Sequence, residues 1–230
     1  MDLGICVASH IGDVDYVVRA EELGYKCAWL ADSQMLWSDC YATLALAATR
    51  TNKIHLGTGV AITGTRPAPV NAAGIATINA LAPGRTFFGV GAGNTAMRVM
   101  GLPPHRIKQF EQYLQTLAPL LKGEESELHV GDKSLPIKHI MPDKGFVNFK
   151  DPIPLYISGF GPKSLALAGK YGDGAVLGVN TPETVSGMWH LIQEGAKEIN
   201  RDLKPKENYY TTALTSMVVL EEGEAVDSDR

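Results

Sequence analysis

The chain has 230 residues, 45% of them hydrophobic, and a formal net charge of −4, so it can form one α/β domain or most of a barrel with a sizeable core. The acidic balance and the lack of a basic run argue against nucleic acid as a partner. No apolar run is long enough to span a bilayer, and the first residues lack the positive charge of a signal peptide. Cys6, Cys27 and Cys40 have no metal-ligand spacing, which predicts free thiols in a reducing cytoplasm and no metal site.

Strand-like and helix-like segments alternate along the chain. Residues 3–8 form a continuous apolar run, as expected of a parallel strand covered on both faces, and Asp13 is placed to cap the following helix, which Gly24 ends. Residues 105–122 are amphipathic, and Pro119 is expected to kink that helix or loosen its last turn. The predicted strands are 3–8, 27–31, 54–61, 86–91, 155–158, 175–177 and 209–220, and the predicted helices are 14–23, 41–50, 70–82, 105–122, one that starts at Pro162 and one that Thr181 caps and Pro182 starts.

Residues 123–150 interrupt this alternation. The segment is charged and has turn residues at 131–132 and 143–145. It is therefore predicted to be an inserted excursion of short strands within a single domain of residues 1–230. The acidic tail, residues 221–230, is typical of the start of a further helix.

A glycine turn, residues 158–161, follows the fifth predicted strand. Its glycines let the backbone approach a ligand closely, and Pro162 suits the first turn of a helix. The start of a helix presents unpaired N–H groups and a partial positive charge, so the turn is a candidate phosphate site. An ordinary strand-to-helix turn explains the same residues equally well.

Polar residues and glycines recur where the predicted strands end. Short connections between alternating strands and helices imply a parallel sheet with right-handed crossovers, in which ligands bind at the carboxyl ends of the strands. An open doubly wound sheet and a barrel both fit, and contributions from many strands favour the barrel. The strand ends concerned are 9–10, 32–33, 58–59, 91–94, 158–161 and 178–180.

Several motifs resemble the bacterial luciferase-like family of flavin- and deazaflavin-dependent oxidoreductases. They are residues 28–33, 44–60, 73–85 with 89–94, and 153–178, in the family's order. The resemblance implies a (β/α)8 TIM-type barrel with a flavin-type cofactor at its mouth and a non-proline cis peptide at Gly59-Val60. The last β/α unit is expected to be absent from this chain, and an unclosed barrel of this kind is expected to pair with another chain.

The resemblance also implies site residues. His10 is a candidate acid–base group and Asp32 a candidate for orienting substrate or cofactor, with a satisfied loop histidine and a capping aspartate as the structural alternatives. Arg66 and Arg98 are more typical of solvated loop arginines than of anion ligands. The ring of the cofactor is expected against Ala8, Thr58, Gly59, Val60 and Asn94, and its phosphate on Ser158, Gly159, Phe160 and Gly161.

Two cofactors fit the resemblance. The preferred hypothesis is an FMN-dependent monooxygenase that uses reduced flavin and dioxygen on a small organic substrate and takes the flavin from a separate flavin reductase. The alternative is a coenzyme F420-dependent reductase that transfers hydride; relatives that use this coenzyme commonly have Asp-His where this chain has Asp32-Ser33. A non-catalytic flavin-binding protein is the alternative from another class. A homodimer is expected.

Overall fold

The computed structural model describes residues 2–178, 181–204, 207–215 and 219–225. Strands alternate with helices, as the sequence predicts, and none of the helices in these ranges is both long and apolar enough to cross a bilayer. The strands are β1 Gly4–Val7, β2 Cys27–Leu30, β3 His55–Thr58, β4 Ala61–Ile62, β5 Thr86–Gly91, β6 Ser126–Val130, β7 Lys133–Ile137, β8 Leu155–Ser158, β9 Gly174–Gly178 and β10 Tyr210–Leu214. The helices are α1 Asp15–Glu22, α2 Cys40–Arg50, α3 Ala68–Leu81, α4 Asn94–Arg98, α5 Ile107–Leu120, α6 Pro162–Tyr171 and α7 Pro182–Lys197, with a 3₁₀ turn at Pro142–Lys144.

The main sheet forms a nearly closed barrel. Strands β1, β2, β3, β5, β8, β9 and β10 lie side by side in that order, and all of the pairings between them are parallel. Aromatic side chains from β2, β5, β8 and β10 contact one another inside the curve of the sheet. Within the described residues β1 and β10 each pair with one strand, so the open seam lies between them. The predicted barrel is confirmed.

The strands have two buried faces. On β2, Ala28 and Leu30 belong to the large core under the helices, while Cys27 and Trp29 cluster with Phe87 of β5 inside the barrel. This arrangement follows from the alternation of side chains along a strand. It explains why the strands read as continuous apolar runs in the sequence.

Two helices begin differently from the prediction. α1 starts at Asp15, with Val14 in the N-cap position and no side-chain cap hydrogen bond, so the prediction that Asp13 caps this helix is wrong. Helix α2 begins at Cys40, one residue before the prediction, and Asp39, for which no role was predicted, caps it: its carboxylate accepts from the N–H of Ala42 at 3.0 Å.

The third predicted strand, residues 54–61, is divided. β3 and β4 are separated by the peptide bond between Gly59 and Val60, which is cis. β3 pairs with the first half of β5 and β4 with its second half. The non-proline cis peptide implied by the resemblance is therefore confirmed.

The excursion contains an antiparallel hairpin of β6 and β7, as predicted. Thr116 of α5 anchors it, because Thr116 Oγ1 donates to the carbonyl of Glu127 at 2.6 Å and the Thr116 carbonyl accepts from Ser126 Oγ at 2.8 Å. Pro119 lies in the last turn of α5, which ends at Leu120.

Helices α6 and α7 pack against each other through glycine. A Cβ on Gly169 would overlap the carbonyl oxygen of Ile192, and a Cβ on Gly195 would overlap the carbonyl of Ala166. The two backbones therefore approach more closely than side chains would allow. Thr181 caps α7, as predicted.

The structure describes only parts of the elements predicted near the end of the chain. β10 covers Tyr210–Leu214 of the predicted strand 209–220, and the predicted strand residues 216–218 lie outside the described residues. Residues 179–180 of a predicted strand end and residues 226–230 of the predicted last helix also lie outside them.

Candidate active site at the barrel mouth

The carboxyl end of β3 lies beside the glycines of β5. Thr58 is fully buried, and its Oγ1 donates to the carbonyl of Gly89 at 2.6 Å. A Cβ built on Gly91 would lie 3.0 Å from Cγ2 of Val60 and 3.5 Å from Cβ of Ser158. The structure therefore brings predicted ring-binding residues close to the first predicted phosphate-binding residue.

Aromatic rings fill the barrel below this mouth. The ring centroids of Trp29 and Phe87 are 4.2 Å apart, those of Phe87 and Tyr156 are 5.4 Å apart, and Tyr156 stacks on Tyr210 at 5.5 Å. Trp29 Nε1 donates to Cys27 Sγ at 3.3 Å, and burial raises the pKa of Tyr156. These four rings form an uncharged aromatic floor, the name used for them below.

Small residues stand above the aromatic floor. Alternate residues share a face of a strand. The inward-facing positions nearer the mouth are therefore the ones that follow each residue of the aromatic floor, and Val176 of β9, by two residues. An apolar floor under walls of small side chains fits a planar three-ring cofactor. The residues at these positions are Ala31 after β2, Gly89 on β5, Ser158 on β8, Gly178 on β9 and Thr212 on β10.

The start of α6 is open to solvent. Helix α6 begins at Pro162, as predicted, and Gly161 and Lys163 are exposed. The N–H groups of Lys163 and Ser164 fall in the first turn, where no intrahelical carbonyl is available. The N–H of Gly161 donates to Ser164 Oγ at 3.2 Å, so this predicted phosphate ligand is engaged within the protein. The first turn still fits an anion through its other N–H groups.

Phe160 and Asn94 lie on the surface of the mouth. Phe160 is 67% exposed, and its ring covers Gly178, where a Cβ would lie 2.6 Å from Cε1. Asn94 begins α4, and its Oδ1 accepts from Arg98 Nε at 2.6 Å. The amide nitrogen of Asn94 is the part of this side chain suited to donate to a ring carbonyl.

The chain matches the luciferase-like monooxygenase family over residues 12–229. It belongs to this family. The 5,10-methylenetetrahydromethanopterin reductase of Methanolobus tindarius is 33% identical over 195 residues, which cover 84% of this chain and 57% of the relative. The F420-dependent glucose-6-phosphate dehydrogenase of Beutenbergia cavernae is 30% identical over 203 residues, 82% of this chain and 59% of the relative. The chain thus spans less than three fifths of the length of either relative.

Solved structures agree with the luciferase-like fold. The coenzyme F420-dependent tetrahydromethanopterin reductase from Methanopyrus kandleri superposes with a TM-score of 0.74 at 25% identity, covering 93% of this chain and 65% of that one. The oxygenating constituent of 3,6-diketocamphane monooxygenase from Pseudomonas putida, in complex with FMN, gives a TM-score of 0.70 at 17% identity, covering 92% and 66%.

Asp32 of this luciferase-like chain is held in a buried ion pair. Arg66 Nη1 donates to Asp32 Oδ2 at 2.6 Å and Arg66 Nη2 to Asp39 Oδ2 at 2.8 Å, and the guanidinium lies 5.0 Å from the ring centre of Tyr41. Burial lowers the pKa of Arg66, but the two carboxylates more than compensate and the pKa is raised. The Arg66 side chain is 20% exposed, so the interpretation of Arg66 as a solvated loop arginine is wrong.

His10 and Ala8 lie on the exposed loop after β1. Between them Ser9 is buried, and its Oγ donates to the carbonyl of Ala31 at 2.6 Å. The N–H of Ser38 donates to the carbonyl of Ser9 at 2.9 Å. These bonds place His10 beside the end of β2, and its catalytic role stays a prediction.

The aromatic floor is the part of the site that the sequence analysis did not identify. The sequence predicts its residues only as parts of apolar strands. A signal was present, because Trp29, Phe87 and Tyr156 each stand two residues before a small residue, which is Ala31, Gly89 or Ser158. That spacing places a large ring below a small side chain on the same face.

Two cavities lie outside the barrel mouth. One of about 690 Å³ lies at the opposite end of β8, between residues of α5 and the end of α6, including Tyr171 and Arg201. The other, of about 350 Å³, lies between the loop after β4, α5 and the β6–β7 hairpin, and includes Thr63 and His105.

Proposed function

We propose that this chain forms the cofactor-binding barrel of an oxidoreductase that transfers hydride between coenzyme F420 and a small organic substrate. The observation that carries the proposal is the F420-dependent dehydrogenase to which most of the chain is similar at 30% identity. The F420-dependent reductase of similar fold supports it. These relatives favour the alternative of the sequence analysis over its first hypothesis, FMN.

The residues of the mouth suit a deazaflavin. The aromatic floor and the side chain of Val60 offer an apolar surface to one face of the ring, and the first turn of α6 offers N–H groups to the phosphate. The bound coenzyme supplies the hydride acceptor or donor. Asp32, fixed by Arg66 at 2.6 Å, is placed to accept a hydrogen bond from the ring edge or the substrate. The apolar surroundings keep water from the reacting atoms.

An FMN-dependent monooxygenase is the second candidate. Ser33 favours it, because it stands where F420-dependent relatives commonly have histidine. The FMN-bound monooxygenase structure has the same fold. In this case the protein would receive reduced FMN from a separate flavin reductase. A homodimer is proposed for both candidates.

The test is a titration of the purified chain with F420 and with FMN, each in oxidised and anaerobically reduced form, followed by absorbance and fluorescence. We expect F420 to bind at least about tenfold more tightly than FMN, a difference of about 1.4 kcal/mol. Gly91→Val places a branched side chain against Val60 and Ser158 and is expected to weaken F420 binding by a similar factor. Gly187→Ala, on the open side of α7, is the control and keeps full affinity.

The other possible results of these titrations distinguish the remaining candidate functions. Tighter binding of FMN than of F420 supports the second candidate and overturns the first. Binding of F420 without any hydride transfer from the reduced coenzyme to a panel of ketones, imines and enones supports a non-catalytic binding protein. No affinity for either cofactor rejects all of these functions.

A further inference from the structure

Arg66 lies in the loop between β4 and α3, and its backbone is held on both sides. The hydroxyl of Thr65, the residue before it, donates to the carbonyl of Ile62 at 3.1 Å. Pro67 follows Arg66, and a residue before proline is restricted to an extended backbone. The carbonyl of Arg66 accepts from the hydroxyl of Tyr113 on α5 at 3.2 Å. The point from which the Arg66 side chain starts is therefore fixed.

One buried side chain, that of Asn71 on α3, connects this hydrogen bond to the guanidinium. Asn71 is fully buried, and its Nδ2 donates to the hydroxyl of Tyr113 at 2.6 Å. Its Oδ1 accepts from the hydroxyl of Tyr41 on α2 at 2.7 Å. The ring centre of Tyr41 lies 5.0 Å from the guanidinium of Arg66, which is a cation–π distance. Asn71 thus orients both of these tyrosines against Arg66.

The directions of these hydrogen bonds follow from the groups present. Burial raises the pKa of Tyr41 and of Tyr113, so both hydroxyls keep their protons at pH 7. Each tyrosine hydroxyl has one proton to donate. Tyr113 donates it to the carbonyl of Arg66 and accepts from Asn71, while Tyr41 donates to Asn71. A change of partner at any one of these groups would therefore leave another group unpaired.

Packing of α3 against α5 alone does not require these polar groups. Replacing both partners of a buried hydrogen bond by apolar groups of the same shape costs little, whereas a satisfied buried network favours one arrangement. The network ends on the residue whose side chain holds Asp32, because Arg66 Nη1 lies 2.6 Å from Asp32 Oδ2. Asp32 is 4% exposed. The direction of its carboxylate therefore decides whether a ligand can reach the other oxygen.

We infer that Asn71 and Tyr113 are positioning residues, which hold Arg66 so that Arg66 fixes the direction of the Asp32 carboxylate. The inference rests on the proposed function for the role of Asp32, which is to accept a hydrogen bond from the coenzyme ring or the substrate. The network keeps the carboxylate ordered before a ligand arrives, so binding does not have to order it.

The first measurement follows the guanidinium of Arg66 by NMR in the whole chain with isotope-labelled arginine and no cofactor. A guanidinium held by two carboxylates gives separate Nη signals, whereas one that rotates freely gives an averaged signal. Arg66→Lys identifies the signals of Arg66 by their loss. Tyr113→Phe removes one hydroxyl and is expected to raise the rotation rate of the guanidinium at least about fivefold, the value of one hydrogen bond.

Tyr209→Phe is the matched control. Tyr209 is also buried, and its hydroxyl donates to the carbonyl of Ala168 on α6 at 3.1 Å. This variant therefore loses a hydrogen bond of the same kind in a different part of the fold. The rotation rate of the Arg66 guanidinium is expected to stay as in the parent chain.

Asn71→Asp is the second variant of the network. It keeps the shape of the side chain but replaces the donor Nδ2 by an acceptor oxygen. The hydroxyl of Tyr113 then donates its single proton to this oxygen and releases the carbonyl of Arg66. The same increase in rotation rate is expected, so the test does not depend on the folding of Tyr113→Phe.

The second measurement is the F420 titration and hydride transfer to the panel of ketones, imines and enones. Tyr113→Phe is expected to lower F420 affinity or kcat/KM about fivefold, and Tyr209→Phe less than about twofold. Unchanged rotation of Arg66 in both network variants overturns the inference. Faster rotation with unchanged affinity and kcat/KM overturns it as well, because the network would then be structural only. If the parent chain binds neither F420 nor FMN, the proposed function fails, and the rotation of Arg66 alone decides the inference.

Discussion

Glu21 shows how one carboxylate can organise a turn far away in sequence. It lies near the end of α1, and its oxygens accept from three successive backbone N–H groups, those of Asn52, Lys53 and Ile54, at distances of 2.6–3.1 Å. These N–H groups precede β3, the strand that leads to the cis peptide of the mouth. The position of β3 therefore depends in part on a side chain outside the barrel.

Glu21→Ala is expected to lower the free energy of unfolding by about 1–2 kcal/mol, because three N–H groups lose a charged acceptor. Glu22→Ala is the matched control. Glu22 makes an exposed ion pair with Arg19 on the same helix, and its loss is expected to change stability by less than about 0.5 kcal/mol. Urea denaturation measures both. Equal effects of the two substitutions would show that the three bonds contribute nothing particular.

The same residue predicts a pH dependence. Burial raises the pKa of Glu21, but the N–H groups of Ile54, Lys53 and Asn52 lower it more, so the folded pKa lies below its ordinary value. The stabilisation is therefore present above the unfolded pKa of about 4.3 and is lost as the pH falls through the lower folded pKa. The difference in stability between the parent chain and Glu21→Gln is expected to shrink below about pH 4 in urea denaturation at several pH values.

At the scale of elements, α6 and α7 form a close pair. Gly169 and Gly195 each face a carbonyl of the other helix, where no Cβ fits. Close packing of this kind transmits strain when a side chain is enlarged. Helix α6 packs on β8 and β9, and α7 packs on α6. Helix α6 carries the candidate phosphate site at its start.

Gly195→Ala is expected to lower the melting temperature, with a cost of about 1–3 kcal/mol from overpacking against Ala166. Gly187→Ala lies on the same helix with no atom within reach of its new Cβ and is expected to gain about 0.5–1 kcal/mol from helix propensity. Thermal denaturation compares the two variants. A gain in both would contradict the close packing of α6 on α7.

Element positions were predictable where local pattern and tertiary contacts agree. Strands β5 and β8 have the predicted bounds, since both are short apolar runs between turn residues. The division of β3 from β4 did not follow from periodicity, because the break is a cis peptide inside an apolar run. Asp13 has the right residue type for an N-cap, but the helix begins two residues later. Cap propensity identifies residue types and leaves open where the chain turns.

At the scale of the whole molecule, the barrel separates two interiors. The large core lies between the strands and the helices, and the aromatic floor lies inside the barrel. A Cβ on Gly4 would meet the side chain of Cys27, so Gly4 and, two residues on, Cys6 face the inside at the seam. Cys6 is exposed there, whereas Cys27 and Cys40 are buried.

Thiol labelling tests this arrangement. With a disulfide reagent such as 5,5′-dithiobis(2-nitrobenzoate), we expect one thiol to react in the native chain, that of Cys6, and three in urea. Cys6→Ser is expected to remove the native reaction. Burial raises the pKa of all three thiols, so the expected difference in reactivity rests on the exposure of Cys6. If Cys27 were labelled in the native chain as fast as Cys6, the aromatic floor would not shield Cys27 from solvent.

The site was predictable in outline only. The strand ends converge as expected of parallel strands, so Thr58, Val60 and Ser158 could be placed together from the order of the elements. The ion pair of Asp32 with Arg66 could not, because it joins residues 34 positions apart whose approach depends on how the loop after β4 folds. The cavity with Thr63 and His105 depends on the hairpin and α5 and was not predicted for the same reason.

Because of the glycine contacts between α6 and α7, a ligand bound at α6 is expected to affect α7 as well. A phosphate bound by the first turn of α6 would restrain this helix. Helix α6 cannot shift independently of α7, because their backbones are in close contact. Backbone amides of α7 would then exchange with deuterium more slowly in the loaded protein, although that helix lies behind the one that touches the ligand.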